Sequence, residues 1–481
     1  MASMRKYEGL HVGAVQIDRM RYGLPNELIA VFLDSMRRSL NISLAEYEGR
    51  AEEEDGKQGE DDDDEQDEEI TVVELAGSAS VIADRLDTLG FTTAVTHRLL
   101  TAAFAEARES KASSFARVAA EHAMEADLVA EHDVEMARLE GYTSGQWIQD
   151  VRATAISGEQ GSVLAAGSPA WLLDIAAGHA DPRVTLRAAL LAWPDAEVRL
   201  DITDDSYSES ETVCSEALEM LRTTGAEHAS VVVLTEGKTD VRVLESALQL
   251  LYPHLTDLIR FMDYGQKPMG GAGPLVNMVR AFAAAGISNR VIALFDYDTA
   301  ASDALRNLDV MNLPPNIQVR QYPRLALAAT YPTLGPPSAG EPGGRLDVAD
   351  VNGLACSIEL YLGRDLLSLP DGTLKPVQWH SYVSGMHQYQ GEVVDKASLM
   401  DAYEEKVRAA KANTGLVATQ DWTGLRAIIR LIMEASSRAG CVGTIHAPSP
   451  SAAACSWIGS GHDAVADLQR HRAVHDPGCH G

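Results

Sequence analysis

Val231-Val232-Val233-Leu234-Thr235-Glu236-Gly237-Lys238-Thr239-Asp240, taken with Val291-Ile292-Ala293-Leu294-Phe295-Asp296-Tyr297-Asp298, decides the fold. Each segment is an apolar run that ends in carboxylates. The first passes through Gly237 into a helical pattern; the second passes into one directly. Such runs read as buried strands of a parallel sheet, whose carboxyl edge is where α/β folds place their sites. Glu236, Asp296 and Asp298 would meet at that edge, where oxygen ligands suit a hard divalent cation such as Mg²⁺.

The flanking residues carry the same alternation. Val241–Leu251 is an amphipathic helix, and Ile259–Met262 is a short strand running into Asp263-Tyr264-Gly265. The loop Gly270-Gly271-Ala272-Gly273-Pro274 opens a helix at Leu275–Ala285, and Ala301–Leu308 and Ile317–Val319 add a helix and a strand. Strand–helix alternation predicts right-handed βαβ units in a Rossmann-like parallel sheet. Residues 332–350, rich in Pro and Gly, read as an excursion loop, and Val351–Leu362 as a helix carrying Glu359. Ser398–Ala412 and Trp422–Ser437 read as helices that close the domain.

Upstream the pattern differs. Residues 1 to 50 mix short strands with a helical piece near Asn26–Ser39. Helical stretches follow at 78–90, at Thr93–Arg108, at Ser113–Leu139, at Leu172–Ala177 and at Val184–Leu191. The expected division is an N-terminal region (1–77) with an acidic insert, a mostly α-helical region (78–225), an α/β domain with a helical extension (228–438) and a poorly ordered tail (439–481). His446, Cys455, His462 and Cys479 in the tail lack metal-ligand spacing.

Composition is that of a soluble chain, 46% hydrophobic and 23% charged. No apolar run reaches the roughly 18–20 residues needed to span a bilayer, and the first residues lack a signal-peptide core. A cytoplasmic protein without a membrane partner is expected. Five cysteines without CxxC spacing argue against a disulfide framework or a zinc site. The formal net charge of −30 argues against a generally DNA-coating surface. Yet 13 acidic residues lie within Glu52–Glu69, so the total says little about the active face. That insert reads as a solvated charge run.

With Glu236-Gly237 after the first strand and Asp296-Tyr297-Asp298 after the third, residues 228–325 resemble a Toprim domain, the metal-binding fold shared by topoisomerases, primases and the overcoming-lysogenization-defect nucleases. Tyr331-Pro332-Thr333, Asp350-Val351-Asn352-Gly353-Leu354, Ser357-Ile358-Glu359-Leu360-Tyr361, Pro376-Val377-Gln378-Trp379, Tyr389-Gln390-Gly391-Glu392-Val393 and the N-terminal Ile82–Phe91 extend the resemblance to bacterial HEPN/Toprim-associated proteins. In that family a helical N-terminal region precedes the Toprim domain.

The resemblance implies a Mg²⁺- or Mn²⁺-dependent phosphodiesterase acting on DNA or RNA, with a role in defence against phage or plasmids. Asp296 and Asp298, two apart, can reach one ion past the strand end. Glu236 is a ligand or a general acid/base. By resemblance to the nuclease branch, Asp240 and Glu359 are candidates for a second metal position; phosphodiester cleavage with two ions roughly 4 Å apart is well precedented. Lys238 is a candidate phosphate contact, as are Lys267, Arg280, Arg290, Arg306 and the backbone of the Gly270–Gly273 loop. The structural alternatives are a helix-capping Glu236, turn-forming aspartates and an exposed Lys238.

The HEPN label implies a second chemistry. Active HEPN ribonucleases use an Arg-x(4–6)-His motif on a helix, paired across a dimer, and Arg117-Val118-Ala119-Ala120-Glu121-His122 fits that spacing. The competing readings are a metal-dependent nuclease, a metal-independent ribonuclease acting through Arg117 and His122, and a non-catalytic nucleotide-sensing or assembly module. A homodimer and an unidentified defence-system partner are compatible with each. No separate domain with a nucleophilic tyrosine favours a topoisomerase, and no zinc-binding or helicase-like signature favours a primase.

Overall fold

The structure, a computed structural model, describes residues 9–18, 20, 23–43, 47, 69–157, 168–203, 209–225, 228–266, 269–308, 313–336 and 344–440. Most of the acidic insert, Lys267 and all of the tail beyond residue 440 lie outside these residues.

The N-terminal part adds a sheet to its helices. Strands β1 (Leu10–Val12), β2 (Val15–Asp18), β3 (Arg37–Ser43), β4 (Glu69–Ser78) and β5 (Glu197–Asp201) form a five-stranded sheet in the order β2-β1-β5-β4-β3, with every pairing antiparallel. The helical piece expected over Asn26–Ser39 is a single helical turn, Asn26–Ile29; Arg37 already begins β3. Among the described residues six helices lie between β4 and β5: α1 (Ala79–Leu89), α2 (Thr93–Glu121), α3 (Ala126–Leu139), α4 (Ser144–Ser157), α5 (Pro169–His179) and α6 (Pro182–Ala192). Ser78 caps α1, and Gly90, at φ 106°, ends it in the left-handed conformation that glycine reaches without steric cost. The single helix expected over Ser113–Leu139 is broken at His122, where the backbone turns extended. Helix α7 (Val213–Thr224) then leads to the second sheet.

That sheet joins β6 (Val231–Leu234), β7 (Ile259–Phe261), β8 (Val291–Phe295) and β10 (Ile317–Gln321) in the order β10-β8-β6-β7, all parallel. Helix α8 (Lys238–Leu251) crosses from β6 to β7, and α9 (Ala272–Ala284) from β7 to β8. Side chains alternate as strand geometry requires. Val231, Val233, Ile292 and Leu294 enter the large core, while Leu234, Val291, Ala293 and Phe295 enter a second core with α9. The winding reverses between β6 and β8, so their carboxyl ends flank the crevice where open α/β sheets bind ligands.

Past β8 the chain makes the two-residue strand β9 (Tyr297–Asp298), helix α10 (Thr299–Arg306) and β10. The expected loop at 332–350 instead supplies β11 (Tyr331–Leu334) and β12 (Leu346–Ala349). These join β14 (Val377–Val383) and β15 (Gln388–Val393) in a sheet ordered β12-β11-β14-β15. The expected helix Val351–Leu362 is absent. Its residues form β13 (Ala355–Cys356), paired with β9, and a 3-10 turn, Ile358–Tyr361. Gly353, at φ 75°, breaks the helical pattern there. Helices α11 (Lys396–Ala412) and α12 (Thr423–Gly440) close the fold, with α12 packed on α1, β8 and β10.

Two buried arginines tie the N-terminal part to the parallel sheet. Arg85 of α1 donates to the carbonyls of Ala30, Val31 and His254 and meets both Asp257 oxygens at 2.8 and 2.9 Å. Arg290, just before β8, donates to the carbonyls of Thr88 and Ala229. Among the described residues no helix is long and apolar enough to cross a membrane.

Candidate active site

Each carboxylate is delivered by a different local device. Glu236 sits in the turn between β6 and α8, and Asp296 in the step between β8 and β9. The Glu236 Oε1 accepts the backbone N–H of Asp296 at 3.0 Å, which joins the two strand ends. The Gly270–Gly271 loop fixes the turn from the other side. Gly271 donates its N–H to the Glu236 carbonyl, and a Cβ on Gly270 would stand 3.0 Å from that same oxygen. The Gly271 N–H proposed for a phosphate is thus spent on the Glu236 turn.

Asp240 lies on the first turn of α8, buried, and its Oδ1 accepts the Tyr322 hydroxyl at 2.9 Å. Asp298 is also buried. Its Oδ1 caps α10 by accepting the Ala301 N–H at 2.8 Å, and its Oδ2 accepts the Gln390 amide at 2.7 Å. Glu359, buried on the 3-10 turn, accepts the Ser357 hydroxyl at 2.6 Å and faces Lys396 Nζ at 3.5 Å. Asp296 is the exception. Its Oδ1 is fully enclosed and has no hydrogen-bond partner among the described residues. An unsatisfied buried oxygen costs free energy, so such an atom calls for a reason.

The five groups act on one another. Burial, then repulsion from Asp240, Glu236, Asp298 and Glu359, holds the Asp296 carboxyl well above the usual carboxylate range. Burial pushes Glu236 up to about 7, against the pull of the Asp296 N–H and with repulsion from Asp298 and Asp240 added. Burial likewise raises Asp240 to about 6, with the Tyr322 hydrogen bond opposing it. Asp298 is raised by burial despite its two hydrogen bonds and the nearby Lys396. For Lys396 burial works to lower the pKa, but Glu359, Glu392 and Asp296 together hold the ammonium above its ordinary value. Burial leads in raising all four carboxylates, and repulsion adds to it for Asp296, Glu236 and Asp240.

Among the described residues no three His, Cys, Asp or Glu side chains form a ready-made metal-binding group. The donor chemistry nonetheless fits a hard divalent cation. All five groups offer oxygen, one oxygen is enclosed without a partner, and the mutual repulsion is of the sign a cation relieves.

The remaining candidates fall elsewhere. Lys238 is exposed at the start of α8. Asp263 forms a turn, accepting the Gly265 N–H. Arg290 is buried on backbone carbonyls and is not available to a phosphate. Arg280 and Arg306 reach the carbonyls of Asn307 and Gly385. Arg117 is on α2 but His122 has left the helix as its C-terminal cap; both are exposed and neither belongs to the carboxylate cluster. Sequence reasoning missed Tyr322, Gln390 and Lys396, each of which supports a carboxylate from a distant element, and Ser357, which supports Glu359 from two residues away. Ser357 and Gln390 stood in segments that carried the family resemblance, which was the one signal available.

Residues 4–204 match the family model of HEPN/Toprim N-terminal domain 1, a span that takes in β1 to β5 and the helices between them. The N-terminal part of the chain thus carries a HEPN/Toprim N-terminal domain. Comparison with the curated proteins and with solved structures finds no match.

Proposed function

We propose that this protein is a Mg²⁺- or Mn²⁺-dependent nucleic-acid phosphodiesterase whose α/β part is a Toprim domain. A HEPN/Toprim-associated chain points to a nucleic-acid-related role. The parallel order β10-β8-β6-β7, with glutamate after β6 and Asp-x-Asp after β8, supports the Toprim reading. The observation that carries the enzymatic reading is the enclosed, unpartnered Oδ1 of Asp296 among four other carboxylates.

In this reading Asp296 and Asp298 hold the principal ion, with Asp240 and Glu359 at a second position. A bound cation neutralises non-bridging phosphate oxygens and favours attack by water. Glu236, held at Oε1 by the Asp296 N–H, keeps Oε2 to take a proton from water or return one to the leaving oxygen. Gln390 and Ser357 orient their carboxylates, as outer-sphere partners of metal ligands do. A role in defence against phage or plasmids belongs to the same reading.

The test is a cleavage panel on single-stranded DNA, duplex DNA and RNA with Mg²⁺, Mn²⁺ or EDTA, for wild type and Asp296→Ala. Cation-dependent cleavage that Asp296→Ala abolishes in a folded protein supports the reading. Cleavage in EDTA that survives Asp296→Ala and is lost in His122→Ala would replace it with the HEPN ribonuclease.

A further inference from the structure

Beside the carboxylate cluster an open groove of about 480 Å³ runs along α8. Its size is within the ~300–1,000 Å³ of ligand-binding clefts. One wall is the α8 face carrying Lys238, Arg242, Glu245 and Gln249; the other includes Asp263 and Tyr264. Lys238 and Arg242 are four residues apart and therefore share a helix face. Lys238 makes no ion pair among the described residues, and Arg242 meets Glu404 only in an exposed pair, at 57% and 46% side-chain exposure. Exposed pairs of that kind contribute little and exchange readily for a phosphate. The groove is joined to the site by covalent and hydrogen-bonded links: Lys238 follows Gly237 directly, and the Tyr264 hydroxyl donates to the Thr235 carbonyl, one residue before Glu236.

From this geometry we infer that the groove holds a single nucleic-acid strand next to the scissile phosphate, with Lys238 and Arg242 on successive phosphates and Tyr264 against a base. A basic strip beside an aromatic wall is how proteins grip single strands without reading sequence. The volume accommodates a nucleotide-sized segment. The inference rests on the phosphodiesterase reading and narrows its substrate to single strands or frayed ends.

The test uses the full chain in EDTA, which separates binding from cleavage. A fluorescein-labelled 12-nucleotide oligothymidylate and a duplex of the same length are titrated by anisotropy at several salt concentrations. Wild type is expected to prefer the single strand. Lys238→Glu/Arg242→Glu should weaken it at least tenfold and reduce the salt slope by about 1.4, the loss of two contacts at about 0.7 each for single strands. Lys238→Gln/Arg242→Gln, which removes the charges without adding repulsion, should show the same slope change. Unchanged affinity in both variants, or equal binding of duplex and single strand, overturns the inference. Cleavage that depends on Asp296 beside unaltered binding in these variants would leave the phosphodiesterase standing and sink only the groove. Binding through Lys238 and Arg242 in a protein inert with every cation would do the reverse.

Discussion

The Glu236 carboxylate and the Asp296 backbone N–H meet at 3.0 Å, so the ends of two neighbouring parallel strands are cross-linked by one residue's side chain and the other's main chain. The bond uses a single Glu236 oxygen and no atom of the Asp296 side chain. It fixes the separation of the strand ends while leaving the Asp296 Oδ1 without a partner among the described residues.

The charge balance predicts a pH dependence. Glu236 rises from 4.5 to about 7 on folding, and Asp240 from 3.8 to about 6. An acid whose folded pKa is raised disfavours the fold once it must ionise. Stability is therefore full below the unfolded values and falls as pH climbs from about 4 to about 7. Thermal melts in EDTA should show this decline, and Mg²⁺ or Mn²⁺ should flatten it. A melting temperature that rises across the same window without cation would contradict the assignment.

Asp296→Asn should raise the melting temperature in EDTA, because it removes a charge that the fold leaves unpaired. The same variant should lose most of the melting-temperature gain that millimolar Mn²⁺ gives wild type, since a ligand stabilises only the state it binds. Equal gains in both proteins would place the cation elsewhere.

Tyr322→Phe removes the hydroxyl from Asp240 and leaves a buried acceptor unsatisfied. A loss of about 1–3 kcal/mol is expected from such a deletion, measurable by urea denaturation.

Gln390→Leu should leave the fold intact but free the Asp298 Oδ2. Outer-sphere partners of metal ligands typically contribute 10–100-fold to affinity or activity. A fall of that size in cation affinity or cleavage is the expected outcome, with unchanged values placing Asp298 in capping alone.

Arg85→Met should cost about 1–3 kcal/mol, because it leaves the buried Ala30 and Val31 carbonyls without their donor. Because Arg85 holds Ala30 and Val31 on one side and His254 and Asp257 on the other, both parts should lose stability together. Two separate transitions in wild-type denaturation would refute that coupling.

Much of the α/β part was legible because its strands are buried on both faces and read as unbroken apolar runs. Val231–Leu234 and Val291–Phe295 needed no partner to be recognised. The N-terminal strands were harder. Glu197-Val198-Arg199-Leu200-Asp201 alternates with period two, but its partners, Leu10–Val12 and Glu74–Ser78, lie far away in sequence. The acidic run hid the start of β4. Near the site, the five carboxylates could be named from the sequence, and the structure brings them together. Their supports could not be named, since nothing local marks Tyr322 as a donor to Asp240 or Gln390 as a donor to Asp298. Those pairs span 82 and 92 residues and exist only after folding. Glu359 was expected on a helix; Gly353 and the pairing of β13 with β9 put it on a 3-10 turn instead.

In the N-terminal sheet Ser78 ends β4 opposite Glu197, the first residue of β5. The six helices therefore leave and re-enter the sheet at facing positions, like a long loop drawn shut at its neck. Closing that neck brings together segments separated by the whole helical block, and the entropy of closure falls with every helix already compacted. The β4–β5 pairing is thus the clasp of this part, holding both ends of the helical block at one place in the sheet.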